Sequence, residues 1–259
     1  MPHGKETRPA GLLLDIDGVV ATGEIALPGS IEAILRVARL GTPIRFVTNT
    51  TRRPRRSIID SLRGLGLDVA AGDVFTPGAA ATALLVERGL KPLLLVHPAL
   101  EEDFLAAPEV GTPAVVVGDA GEHFTYGALN EAYRALVHGA AFYALAKNRN
   151  FQDRDGDLSL DAGPFVAALE YASRQEALVI GKPAPEFFRR AAASIAAPLD
   201  DVVMIGDDAE ADVGGALAAG LRGVLVRTGK YREGDEARLE AAPEFVADDL
   251  RQALERLLP

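Results

Sequence analysis

The chain of 259 residues contains no cysteine. Disulfides, thiolate nucleophiles and cysteine-ligated metals are thereby excluded, although the absence says nothing about redox compartment. No apolar run approaches the roughly 18 residues that a membrane-spanning helix needs. The segment Met1–Ala10 is polar and has no apolar signal region, so a cytoplasmic protein is the default expectation. Positive charge is also scarce: 27 Lys and Arg stand against 37 Asp and Glu, a formal net charge of -10. That field disfavours non-specific binding to nucleic acid or anionic membrane, and an anionic substrate would need a local positive site to overcome it. Neither a Gly-x-Gly-x-x-Gly nor a P-loop motif is present, which argues against a nucleotide-binding enzyme.

The rest of the composition is ordinary for a globular protein, with 48% hydrophobic and 25% charged residues. The length suffices for one large α/β domain or for a core plus a smaller domain. Short apolar runs alternate with amphipathic stretches. Leu12–Ile16, Ile44–Val47, Leu93–Val96, Ala114–Val117, Phe142–Leu145, Leu178–Ile180, Val202–Ile205 and Val224–Val226 read as strands. Ser30 is the predicted N-cap of a helix that runs through Leu40 and is ended by Gly41, and Pro54–Leu65 is a second helix. Strands alternating with helices predict an α/β fold with a doubly wound, mostly parallel sheet, in which ligands bind at the carboxyl ends of the strands. The pair Asp155–Gly156, flanked by Phe151, Leu158 and Leu160, predicts a hairpin. The acids Asp153, Asp155 and Asp157 invite a calcium-loop reading, but Leu158 stands where that loop needs glycine and Pro164 where it needs glutamate.

Candidate chemistry collects at strand ends. Asp15 and Asp17 follow the first strand, and two carboxylates so close to an apolar strand end are costly without a cation. The second strand ends in Val47–Thr48–Asn49–Thr50, where a hydroxyl and backbone N–H groups near a helix start form a natural anion cradle. Lys182 lies in a loop beside the strand Leu178–Ile180, with a proline-opened helix after it. Gly206–Asp207–Asp208 closes a further strand, with Asp212 beyond. In a parallel sheet these ends can converge. Arg52, Arg53, Arg55 and Arg56 open the second helix and read as a solvated helix face rather than as a guide for anions. His97, His123 and His138 have no partner pattern and read as structural or surface residues.

Asp15–Ile16–Asp17–Gly18–Val19, Thr48–Asn49, Lys182 and Gly206–Asp207–Asp208 with Asp212, in that order, resemble the four motifs of the haloacid dehalogenase superfamily. Only 33 residues separate Asp15 from Thr48, room for a βαβ unit, whereas 134 separate Thr48 from Lys182, room for a complete α/β insertion. An insertion at that point resembles the subgroup with the larger α/β cap. Phe165–Tyr171, Gly181–Phe188 and Gly206–Gly215 look most like its branch containing hydrolase-like domain-containing protein 2 and the phospholysine phosphohistidine pyrophosphate phosphatase. The resemblance implies a Rossmann-like core over 1–77 and 179–259, a cap over 78–178, and a magnesium-dependent phosphatase acting on a small phosphorylated substrate. It leaves a homodimer open.

The roles implied are specific. Asp15 would be the nucleophile and Asp17 the general acid and base. Mg²⁺ would be held by Asp15, Asp207 and the backbone carbonyl of Asp17. Thr48, Asn49 and Lys182 would bind the transferring oxygens, and Asp208 and Asp212 would orient metal-bound water or Lys182. Thr125–Leu136 is expected to be a cap helix. The cap loop Lys147–Asn148–Arg149–Asn150 would meet the substrate, with Asn148 and Arg149 as donors, although Asn150 departs from the Asp often found in the family. Rival readings are a phosphotransferase of the same superfamily and a non-catalytic, receiver-like regulatory module. A receiver shares the aspartate, threonine and lysine but needs neither Asp17 nor a cap-sized insertion.

Overall fold

The computed structural model describes residues 8–152 and 157–259. The chain divides into two compact units: Met1–Thr48, Ile58–Phe75 and Lys182–Pro259 form the first, and Asn49–Ser57 and Thr76–Gly181 the second. Asn49–Ser57 thus groups with the inserted unit and not with the segments on either side of it.

The first unit is organised around the leucine run of the strand Gly11–Asp15, whose residues are all buried. A strand apolar on both faces belongs in the middle of a covered parallel sheet. Here it is an inner strand of six, in the order Phe245–Ala247, Arg222–Val226, Val202–Gly206, Gly11–Asp15, Ile44–Val47, Val74–Phe75. All pairs are parallel, with Leu14 opposite Ile205 on one side and Asp15 opposite Val47 on the other. From Gly11–Asp15 the chain winds first toward Val74–Phe75 and later the opposite way toward Phe245–Ala247. The topological switch point therefore lies between Gly11–Asp15 and Val202–Gly206, and in open sheets of this kind ligands bind outside the carboxyl ends at that point.

The helices Ser30–Arg39 and Leu250–Leu257 supply Ile34, Val37, Leu254 and Leu257 to one core, together with Leu12, Leu14, Val203 and Ile205 of the sheet. The helix Pro185–Ala193 buries Phe187 and Phe188 and packs on the short helix Gly215–Ala219. Ser30 is not the N-cap predicted. It is the first residue of its helix, its hydroxyl donates to the carbonyls of Val20 and Leu27, and Gly29, with φ +75°, takes the cap position. A hydroxyl that donates to two carbonyls is turned away from the helix N–H groups a cap must accept.

The second unit is a four-stranded parallel sheet in the order Leu178–Val179, Ala141–Ala144, Thr112–Val117, Leu90–Leu95. Helix Pro77–Arg88 contributes Leu84 and Leu85 to one core, and helices Tyr126–Val137 and Ala162–Ser173 contribute Leu136, Val166 and Leu169 to the other. Thr125, predicted as the start of a helix, caps one by accepting from the Ala128 N–H at 3.2 Å. Asn150–Gln152 and Leu158–Leu160 pair as an antiparallel hairpin. Its Asp155–Gly156 turn and the acids Asp153 and Asp155 lie outside the described residues. The predicted α/β fold is the fold observed. Among the described residues no helix is long and apolar enough to cross a membrane.

Candidate active site

The parallel register that sets Leu14 against Ile205 brings Asp15, the last residue of its strand, to the same edge as Asp207, the first residue past Val202–Gly206. Asp212 reaches that edge from a π-helical turn, Ala209–Gly214. Gly206 permits the approach, because a Cβ there would lie 2.2 Å from the Cβ of Asp212. Asp208 caps the turn: its Oδ1 accepts from the Ala211 N–H at 2.9 Å, and its own N–H donates to Asp212 Oδ2 at 3.1 Å. Lys182 Nζ then lies between two carboxylates, 2.7 Å from Asp15 Oδ1 and 2.5 Å from Asp212 Oδ1.

Asp15, Asp207 and Asp212 are all buried, and each offers an oxygen within 4.8 Å of the others. The neighbouring ammonium groups of Lys182 and Lys230 do not offset the burial of three carboxylates. Burial raises Asp15 from 3.8 to about 6, with Lys182 pulling it down and Asp207 adding to the rise. Burial and then Asp212 raise Asp207 to about 6. Burial and then Asp15 raise Asp212 to about 7. Burial opposes the charge on Lys182, but Asp15 and Asp212 outweigh it and hold that ammonium above its ordinary range.

The donor set fits a hard divalent cation. Both oxygens of Asp212 are occupied, one by Lys182 and one by the Asp208 N–H. Asp207 Oδ2 accepts from the Lys230 N–H at 2.7 Å, while its Oδ1 is buried with no hydrogen-bond partner among the described residues. An orphaned carboxylate oxygen in a buried acidic cluster is costly unless a cation meets it.

These charges make stability depend on pH. Each of the three carboxylates binds its proton more tightly in the folded chain than in the unfolded one, so stability falls as pH rises from about 4 through about 7. The contribution of Lys182 is constant across that window. Chelator-treated protein should therefore unfold at a lower temperature at pH 8 than at pH 5, and Asp212→Asn should flatten the difference. A transition that rises with pH over this range, unaltered in the variant, would contradict the linkage.

The remaining predicted residues separate between the two units. Thr48 closes its strand in the first unit, buried, its N–H donating to the Phe75 carbonyl. Asp17 is exposed just beyond Asp15. Asn49, Asn148 and Arg149 belong to the second unit. There the side chain of Asn148 hydrogen-bonds Asp161, the cap of helix Ala162–Ser173, and Arg149 is exposed. Arg52 departs from the solvated helix face expected. The helix starts only at Arg55, and the Arg52 guanidinium is paired with buried Asp119 and lies 4.6 Å from the centroid of the Phe151 ring.

Sequence reasoning missed one element of the first unit, the turn Thr228–Gly229–Lys230 after the strand Arg222–Val226. Its Lys230 N–H holds Asp207, its Lys230 Nζ lies 3.4 Å from Asp208 Oδ2, and its Thr228 hydroxyl donates to the Gly18 carbonyl. Its position after another strand of the same parallel sheet was the one available signal.

Comparison with known proteins gives a consistent picture. A family model described as haloacid dehalogenase-like hydrolase matches residues 12–107, and a second, HAD-hydrolase-like model matches residues 179–253. The chain is 41% identical over 254 residues to the phospholysine phosphohistidine inorganic pyrophosphate phosphatase of Bos taurus, covering 96% of this chain and 94% of that protein. It is 40% identical over 247 residues to the haloacid dehalogenase-like hydrolase domain-containing protein 2 of the same species, covering 95% of each. Among solved structures it resembles a p-nitrophenyl phosphatase from Archaeoglobus fulgidus, with TM-score 0.88 and 26% identity over 96% of this chain and 99% of that one. It also resembles a glycerol phosphate phosphatase from Mycobacterium tuberculosis in complex with magnesium, with TM-score 0.82 and 27% identity over 97% of this chain and 77% of that one.

Proposed function

We propose a reaction for this chain on one premise: it belongs to the haloacid dehalogenase-like hydrolase family. The reaction is the hydrolysis of a small phosphorylated metabolite through a phosphoryl group carried on Asp15. Phosphomonoesters are the core substrate class. The 41% identity to a relative named for phospholysine, phosphohistidine and inorganic pyrophosphate extends the proposal to phosphoramidates and pyrophosphate.

Asp15 attacks phosphorus as the bond to the leaving oxygen or nitrogen breaks. Asp17 delivers its proton to the departing atom, then takes a proton from the water that attacks the phosphoryl-aspartate, releasing inorganic phosphate and restoring both carboxyl groups. Lys182 holds Asp15 in place and, with Thr48, would bind the oxygens of the transferring group. Asp212 orients Lys182, because both of its oxygens are already engaged. Asp15 and Asp207, with the Asp17 carbonyl, would hold Mg²⁺, which supplies charge neutralisation between an anionic nucleophile and an anionic phosphate. The observation that carries this reading is the buried Oδ1 of Asp207, which has no hydrogen-bond partner among the described residues, in a cluster with Asp15. Asn148 and Arg149 are proposed as contacts for the substrate's leaving group.

The test is turnover of p-nitrophenyl phosphate. Chelated protein should be inert and regain activity on addition of Mg²⁺, and acid-quenched enzyme should carry one phosphoryl group labile to hydroxylamine. Full activity in excess chelator, or turnover with no covalent phosphate under rapid quench, would set the mechanism aside.

A further inference from the structure

Three observations converge on the turn Thr228–Gly229–Lys230. The first is a hydrogen bond: the Lys230 N–H reaches Asp207 Oδ2 at 2.7 Å, so that oxygen is engaged and Oδ1 is the one left without a donor among the described residues. The second is a steric fit. A Cβ on Gly229 would stand 1.8 Å from Asp207 Oδ2 and one on Gly18 2.1 Å from it, and both residues have positive φ, +54° and +79°. Their backbones close on the carboxylate from two sides, at an approach only glycine permits. The third is a tie between those sides, since the Thr228 hydroxyl donates to the Gly18 carbonyl and joins the turn to the loop that carries Asp17.

We infer that this turn is a positioning clamp for Asp207, fixing which carboxylate oxygen faces the cation, and that Thr228 and Gly229 act on metal affinity without touching metal or substrate. The inference rests on the reading of Asp207 as a metal ligand. Without the clamp the carboxylate would be free to rotate or to offer both oxygens, and part of the cation's binding energy would go into ordering it. Partners that orient a metal ligand in this way are typically worth about 10–100-fold in metal affinity. Lys230 adds a second tie, its Nζ lying 3.4 Å from Asp208 Oδ2, which steadies the residue that caps the turn bearing Asp212.

The test is Mg²⁺ affinity measured by titration calorimetry on the full chain, with unfolding temperature recorded for every variant. Gly229→Ala should weaken Mg²⁺ binding at least tenfold, and Thr228→Val should weaken it severalfold to tenfold. Gly234→Ala supplies the control. Gly234 also has positive φ, +87°, but a methyl placed there would meet no atom within 4 Å beyond its own chain neighbours. That variant should lower the unfolding temperature through backbone strain and leave Mg²⁺ affinity at the parental value. Parental Mg²⁺ affinity in folded Gly229→Ala overturns the clamp. If Gly229→Ala does not fold, parental affinity in Thr228→Val overturns it instead. Equal losses in Gly229→Ala and Gly234→Ala would reduce it to a general stability effect. An Asp207→Asn variant that binds Mg²⁺ as the parent does would show that the metal reading itself has failed.

Discussion

Asp15→Asn should lower p-nitrophenyl phosphate turnover by at least about a thousandfold, the order expected when a covalent nucleophile is removed. The amide has the shape of the carboxylate but cannot form the phosphoryl-enzyme, so the hydroxylamine-labile phosphate should vanish with the activity. Folding should survive. Asp15 is one of three buried carboxylates, and making one of them neutral removes a charge whose pKa of about 6 already reports an unfavourable site. Lys182 keeps its contact with Asp212 at 2.5 Å. The unfolding temperature near pH 8 should accordingly match or exceed that of the parent. Residual activity within tenfold of the parent would remove Asp15 from the nucleophile's role, whereas loss of folding would show that its charge is needed to hold Lys182.

Most of the architecture was legible because its signal is local. The run Leu12–Leu14 can only be the inside of a covered parallel sheet, and the residues after it must then stand at the sheet's carboxyl edge. The same logic located Asp207 after Val202–Ile205, but not Lys182, because Leu178–Val179 belongs to the sheet of the second unit while Lys182 belongs to the first. Two short edge strands of the first unit were not legible: Val74–Phe75 and Phe245–Ala247 have two and three residues and no periodicity to detect. Ser30 illustrates a different failure. A serine before an apolar helix is a cap by propensity, but the tertiary acceptors at Val20 and Leu27 claimed its hydroxyl.

The site divides in the same way. Arg52 and Lys230 were not legible, the first because its partner is distant in the sequence and the second because it acts through its backbone. Arg52 looked like one of four arginines on a helix because Asp119, which pairs with it, lies 67 residues away. Lys230 carried no readable signal, since its contribution to Asp207 is made by a backbone N–H that no side-chain pattern reveals.

Lys182→Met should combine a large loss of activity with a large loss of stability, and the two can be separated. Lys182 is buried, and its ammonium lies between Asp15 and Asp212 at 2.7 and 2.5 Å. Breaking a buried pair by removing one partner typically costs about 3–5 kcal/mol, because the opposite charge is left uncompensated. Here two carboxylates lose their partner at once, with Asp207 nearby as a third. The loss should be greatest near pH 8, and smaller near pH 5, where those carboxylates can take up protons. Activity should fall by at least about 10²–10³-fold, the range for losing one preorganised donor to a developing oxyanion. Adding Asp212→Asn to Lys182→Met removes one of the stranded charges, so the double variant should recover part of the stability, a non-additive result expected of residues in contact. It should recover none of the turnover, because the ammonium proposed to bind the transferring oxygens is still missing. Parental turnover in the stabilised double variant would mean that Lys182 serves only to neutralise its neighbours. Stability restored with activity still absent would separate its part in the fold from its part in the reaction.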